Sequence, residues 1–161
     1  MDQINSKHIS NAICQFLTFL ANGNIYAVST SDVLQIIEKP HITPIAETAP
    51  YIRGLIRLRE HNIPIIDLGL RLRESAVEHS GTSKIVVLST SIGDLGLIVE
   101  SIGEIINLPQ QDVSHVPPLA FDVGNHVLSS VAVHNGQLIP ILDVQILLSD
   151  EAITSIDLEV K

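Results

Sequence analysis

The chain has no tryptophan, a single cysteine and only 3% aromatic residues among its 161 positions. Recognition of single-stranded nucleic acid by base stacking needs exposed aromatic rings, so this scarcity argues against it. Basic residues are also few, nine Lys and Arg against eighteen Asp and Glu, for a formal net charge of -9. Phosphate backbones and anionic membrane surfaces both require a dominant positive field, so neither is an expected partner. Cys14 alone cannot close an intramolecular disulfide, and no Cys/His cluster has metal-ligand spacing. The N-terminus lacks an apolar stretch preceded by positive charge, and runs such as Leu95 to Val99 fall far below the ~20 residues of a membrane-spanning helix. These absences point to a soluble cytoplasmic protein.

What is abundant is aliphatic. Hydrophobic residues make up 45% of the chain, dominated by Ile, Val and Leu, which suit a pleated surface and supply enough apolar area to exclude disorder. Residues 1–13 read as a polar lead-in and 149–161 as a weakly helical tail, with one folded unit over 14–148. Gln15 to Leu20, the turn Asn22-Gly23-Asn24 and Ile25 to Val28 form a first hairpin. Val33, Ile36 and Ile37 fall at helical spacing after several N-cap candidates, which predicts a short helix toward Pro40. Ile52 to Arg59 and Ile63 to Ile66 form a second hairpin around Glu60-His61-Asn62. Pro64 cannot donate to a ladder and is expected on an edge strand or at a bulge. Lys84 to Leu88 and Leu95 to Val99 form a third hairpin. Ser101-Ile102-Gly103-Glu104 has the form of a capping box, which predicts a second helix with Ile105 and Ile106. Asn135-Gly136 between Val127 to His134 and Gln137 to Leu142 is the strongest hairpin signal, because a type I′ turn needs two residues tolerant of positive φ.

The order of elements repeats. Ile63-Pro64-Ile65-Ile66-Asp67-Leu68 matches Ile139-Pro140-Ile141-Leu142-Asp143-Val144 at an offset of 76 residues, and Val33-x-x-Ile36-Ile37 matches Ile102-x-x-Ile105-Ile106 at an offset of 69. Two similar all-β modules of about five strands follow, each near the size at which a sheet closes into a small barrel. Packing against each other would thicken two thin cores, and a groove between them is a natural partner site.

Catalytic constellations are weak. Asp67 and Asp143 sit at equivalent positions of the repeat and could form an acid dyad, as in an acid hydrolase. Helix N-capping explains each Asp more simply, since a bulky apolar residue follows both. The His residues, among them His61, His79, His115, His126 and His134, are scattered singly, no Ser lies in a Gly-x-Ser-x-Gly turn, and Cys14 reads as a small buried hydrophobe. One feature resists a bland reading. All five Arg of the chain, Arg53, Arg57, Arg59, Arg71 and Arg73, fall within 21 residues of an acidic protein. On a strand, Arg53, Leu55, Arg57 and Arg59 share the outward face while Ile52, Gly54, Ile56 and Leu58 point inward. An Arg-rich stripe with one Leu suits an acidic protein partner; the alternative is a charged face that discourages edge-to-edge aggregation.

Taken together, Gln15-Phe16-Leu17-Thr18-Phe19, Tyr51-Ile52-Arg53-Gly54-Leu55-Ile56-x-Leu58-Arg59, Ile63 to Leu68 and Leu95 to Ile106 resemble the CheW-like domain family over about Gln15 to Leu148. The resemblance implies two intertwined SH3-like five-stranded β-barrels with short helices, expected here over roughly 30–85 and over 14–29 plus 86–148. It implies a non-enzymatic adaptor without cofactor or small-molecule substrate. The family binds the regulatory domain of a CheA-type histidine kinase through a barrel edge and the cytoplasmic tip of a chemoreceptor in the inter-barrel groove. A stand-alone regulator of another pathway, such as pilus motility, is the alternative. By motif position, Arg59 matches the signalling Arg of the family's Asn-Leu-Arg-Gly, and Gln35 stands where a Glu pairs with it. Arg57 replaces the Asn and Glu60 the Gly, so the Glu60-His61-Asn62 connection is expected to rearrange or to use Asn62 for the left-handed position. The expected partner-binding set is therefore Arg53, Leu55, Arg57, Arg59, Gln35 and Glu60. The structural set is Gly54, Pro64, Asp67, Pro140, Asp143, Asn135 and Gly136.

Overall fold

The computed structural model describes residues 12–38, 40–46, 49–72, 75–77, 83–115 and 127–148. The expected tail and most of the lead-in lie outside them. Two sheets hold the described strands. One has the order β8-β1-β2-β11-β10-β9, built from β1 (Ile13–Ala21), β2 (Asn24–Ser29), β8 (Ser101–Pro109), β9 (Val113–His115), β10 (Leu128–His134) and β11 (Gln137–Leu142). The other has the order β3-β6-β7-β5-β4, from β3 (Val33–Glu38), β4 (Ile52–Leu58), β5 (His61–Asp67), β6 (Lys84–Thr90) and β7 (Gly93–Val99).

The repeat read from the sequence is a repeat of topology. With β3 matched to β8, β6 to β1, β7 to β2, β5 to β11 and β4 to β10, the two strand orders coincide, and β9 is added at one edge. Each half of the chain lends its first hairpin to the other half's sheet. Thus β6–β7 docks on β5 through a parallel pairing, Ile65↔Gly96 and Ile66↔Leu97, and β1–β2 docks on β11 through Ile141↔Ala27. The sheets therefore divide at Glu100. The boundary expected near residue 85 falls inside β6, whose partners β3 and β7 belong with it to the five-stranded sheet.

Two expected helices are strands. Val33 to Ile37 forms β3, alternately half-buried and exposed along its length and paired with β6, and Ser101 to Ile106 lies in β8, paired with β1 from Ser101↔Leu20 to Pro109↔Ile13. Apart from Leu34, their apolar positions are β-branched Ile and Val, which lose rotamer freedom in a helix and fit a ladder. Pro64 also departs from expectation, because β5 is an interior strand between β7 and β4. Leu55 opposite it sends both its N–H and its C=O to Thr43, at 2.8 Å each. The Leu55–Pro64 pair therefore exchanges no hydrogen bonds, and the nitrogen of Pro64 faces β7, whose pairing with β5 begins only at Ile65↔Gly96. Pro140 is the counterpart on β11, opposite Val131.

Side chains from both sheets make one continuous core. Leu17, Phe19, Tyr26 and Val28 of the first sheet cluster with Ile63, Ile65, Leu88, Leu97 and Val99 of the second. The scarce aromatics are used here, with Phe19 and Tyr26 as a cross-strand pair whose rings stack at 6.4 Å. A smaller cluster of Phe16, Ala27, Ile106, Ala132 and Ile139 fills the other barrel.

Gly54 lies at the irregularity where the β4–β5 register shifts, with φ +143. A Cβ there would stand 2.1 Å from the Thr43 carbonyl oxygen and 2.9 Å from Ile42 Cγ2. Glycine is thus required twice, by backbone angle and by the strand-like bridge of Thr43 onto β4. Gly54→Ala is expected to cost about 3 kcal/mol or more, from backbone strain plus the displaced bridge. Urea unfolding by circular dichroism measures this, and a loss below about 1 kcal/mol would contradict the packing described.

Candidate functional site

The β4–β5 hairpin presents the Arg-rich stretch. Its register runs from Ile52↔Ile66 through Arg57↔Asn62 to Leu58↔His61, which leaves Arg59 and Glu60 as a two-residue turn. Their φ values are +52 and +69, so the turn is type I′. The same geometry recurs at Asn22-Gly23 and Asn135-Gly136, with residues that adopt it readily. The expected rearrangement therefore does not occur. Asn62 stays in β5, and Glu60 itself takes the left-handed conformation, which strains a side chain bearing a Cβ.

The Arg island divides into two roles. Arg57, Arg59 and Glu60 are exposed, with His61 and Asn62 exposed beside them, and Leu55 is half-buried. Neither Arg57 nor Arg59 has an ion pair or a side-chain hydrogen bond among the described residues. Arg53 does not stand free in an outward stripe, because its Nη1 lies 3.3 Å from Asp67 Oδ2 and donates to it. Arg71 is buried and structural; Nη2 donates to the Ile146 carbonyl at 2.7 Å, Nε donates to that of Leu147, and the guanidinium sits 5.0 Å over the Tyr51 ring. The sequence reading missed this role, for which an Arg one turn after the capping Asp67 and flanked by Leu70 and Leu72 was the available sign. Arg73 lies outside the described residues.

Gln35 lies on β3, paired with Val87 of β6, and no side-chain hydrogen bond joins it to Arg59 among the described residues. The pairing drawn from the motif is not made here.

Asp67 holds the root of the hairpin. It is 0% exposed, its carboxylate accepts from Leu70 N at 3.2 Å and from Val77 N at 3.1 Å, and its own N–H donates to the Tyr51 carbonyl at 2.8 Å. It thereby caps α1 (Leu68–Arg71) while Arg53 balances its charge. Asp143 accepts from Gln145 N at 3.0 Å and caps the 3-10 turn Val144–Ile146. Each carboxylate serves its own cap, and the acid that feels Asp143 is Asp32. Burial, and then the negative charge of Asp143, raise the Asp32 pKa above its ordinary value. No group of three or more His, Cys, Asp or Glu among the described residues could hold a metal ion.

Two intertwined barrels of matching strand order, with hairpins exchanged between the halves of the chain, define a class of small all-β proteins. The chain belongs to the CheW-like domain family, whose model matches residues 15–152. It is 29% identical over 142 residues to the chemotaxis protein CheW of Treponema pallidum, covering 85% of this chain and 83% of that one. It is 24% identical over 143 residues to that of Klebsiella aerogenes, covering 89% and 86%. The crystal structure of the scaffolding protein TtCheW from Thermoanaerobacter tengcongensis superposes with a TM-score of 0.81 at 25% identity, covering 88% of this chain and 96% of that one. These likenesses support a chemotaxis scaffold role.

Two variants test the local energetics. Glu60→Gly should stabilise the fold by about 0.5–1 kcal/mol, relief of the left-handed strain being partly offset by glycine's larger unfolded-state entropy; destabilisation in urea melts would contradict the turn assignment. For Asp32, the raised native pKa means that the ionised group opposes folding at neutral pH, and the penalty fades as pH falls through that pKa. Asp32→Asn is therefore expected to be more stable than the parent at neutral pH, with the gap closing in acid. A gap that widens on acidification would reverse the assignment.

Proposed function

We propose that this chain is a non-enzymatic cytoplasmic adaptor that couples a CheA-type histidine kinase to the cytoplasmic tip of a chemoreceptor. The exposed end of the β4–β5 hairpin, with Arg57 on β4 and Arg59 and Glu60 in the turn, is its contact surface, with Leu55 at the margin. The supporting observation is the pair of exposed guanidiniums, without an intramolecular partner among the described residues, at the end of a hairpin. Its root is fixed by the buried Asp67. Strain of this kind persists where the surrounding structure over-determines it, and it clusters at functional sites. Arg is enriched among the residues that dominate interface energetics, and an acidic partner would gain both affinity and a faster encounter from two exposed guanidiniums on an otherwise acidic protein.

Arg59→Glu keeps the turn's size and reverses its charge. It is expected to weaken binding to the kinase regulatory domain or to the receptor tip by about tenfold or more, with an unchanged melting transition. Isothermal titration with each cognate partner checks this, and undiminished binding to both would reject the surface.

A further inference from the structure

The chain contains two Asn-Gly steps, Asn22-Gly23 and Asn135-Gly136, and no Asp-Gly. Asn-Gly is the step at which an asparagine most readily converts itself, because glycine has no Cβ to hinder its nitrogen from attacking the preceding side-chain amide. The two turns have nearly the same backbone, with φ of +53 and +80 in the first and +52 and +74 in the second. A Cβ on either glycine would meet nothing within 4 Å. Local chemistry and local geometry are therefore matched.

What differs is how each turn is tied to the rest of the fold. Asn22 is half-buried, its Nδ2 donates to the Ser75 carbonyl at 2.7 Å, and the Gly23 N–H donates to Glu100 Oε1 at 3.0 Å. The nitrogen that would leave and the nitrogen that would attack are both held by other segments. Asn135 and Gly136 are exposed. Asn135 Nδ2 lies 3.3 Å from Nε2 of His134, its neighbour on the same turn, so that contact moves with the turn. The Gly136 N–H has no hydrogen bond among the described residues. Ring closure requires the Asn to rotate out of its left-handed conformation, so each turn must open before it reacts. Opening at Asn135 frays the exposed end of a hairpin at the pair His134↔Gln137, whereas opening at Asn22 also breaks two hydrogen bonds to distant segments.

We propose that Asn135 is a self-modification site of this chain. The Gly136 nitrogen attacks Cγ of Asn135, and the new C–N bond closes a succinimide. Nδ2 departs as ammonia, carrying the proton lost from the Gly136 nitrogen. Water then opens the ring at either carbonyl to give aspartate or isoaspartate, and it is the sole co-reactant. Each product places a new carboxylate beside His134, whose Nε2 already lies 3.7 Å from Glu104 Oε1. Isoaspartate also lengthens the backbone by a methylene, which a two-residue turn cannot absorb while keeping the pair His134↔Gln137. Its carboxylate is the substrate class of protein carboxyl methyltransferases that use S-adenosylmethionine.

The test ages the full chain in mildly alkaline buffer and maps both sites by peptide mass spectrometry, with an isoaspartyl carboxyl methyltransferase as the probe of isoaspartate. Asn135 is expected to convert about tenfold or more faster than Asn22, the effect of the two hydrogen bonds that the Asn22 turn must break. In denaturing urea the two sites should convert at similar rates, because the difference lies in the fold. Comparable rates in the native chain, or faster conversion at Asn22, would overturn the assignment. A ratio in urea as large as in the native chain would overturn it too, by tracing the difference to the flanking residues.

Discussion

Everything in this fold depends on the exchange of hairpins between its halves. Strand β5 needs β7, which arrives from the second half of the chain, and β11 needs β2, which arrives from the first. Both pairings are parallel, so neither can be made by a tight turn, and each requires the chain to cross between sheets. Neither sheet can be completed from its own half alone. The shared core follows directly, because Leu17, Phe19 and Tyr26 reach their burial against Ile65, Leu97 and Val99 of the other sheet. A chain with few aromatics and two thin barrels thereby obtains one interior of useful thickness.

That interior also supports the exposed turn. Ile63, Ile65 and Ile66 anchor β5, Gly54 admits Thr43 against β4, and Asp67 ties the hairpin's root to α1 and to Val77. Of the five arginines, Arg53 and Arg71 are spent on this framework, one opposite a buried carboxylate and one on the carbonyls that end the described chain. Arg57 and Arg59 have no ion pair or side-chain hydrogen bond among the described residues, and Arg73 lies outside them. The second half of the molecule provides an internal comparison, since its equivalent turn is Asn135-Gly136, relaxed and uncharged where Arg59-Glu60 is strained and charged.

Much of this was legible in the residues. The Ile-Pro-Ile-aliphatic-Asp repeat announced two modules, Asn-Gly located two of the turns, and both capping aspartates could be named from the apolar residues that follow them. The errors share a cause, which is that pairing across long sequence distances overrides local pattern. Val33 to Ile37 and Ser101 to Ile106 carry helical spacing and helix-start residues, yet β6 and β1 offer open edges that β-branched chains fill. Pro64 looked like an edge residue because nothing local reveals that Thr43 will take both hydrogen bonds of Leu55. Alternation along β4 separated buried Ile52, Gly54 and Ile56 from the more exposed Arg53, Leu55 and Arg57, but it put Arg59, which lies in the turn beyond the strand, on the same face, and it could not separate Arg53, which meets a carboxylate fourteen residues away, from Arg57 and Arg59, which meet none among the described residues.

The central claim is that the strained, charged turn, and not its relaxed counterpart, is where a signalling partner lands. Amide hydrogen exchange of the full chain, alone and with the cognate kinase regulatory domain, tests it most directly, because the two turns report side by side in one molecule. The account predicts slowed exchange over 57–62 in the complex and unchanged exchange at Asn135 and Gly136. Protection confined to the Asn135-Gly136 end, with 57–62 exchanging as in the free chain, would contradict it.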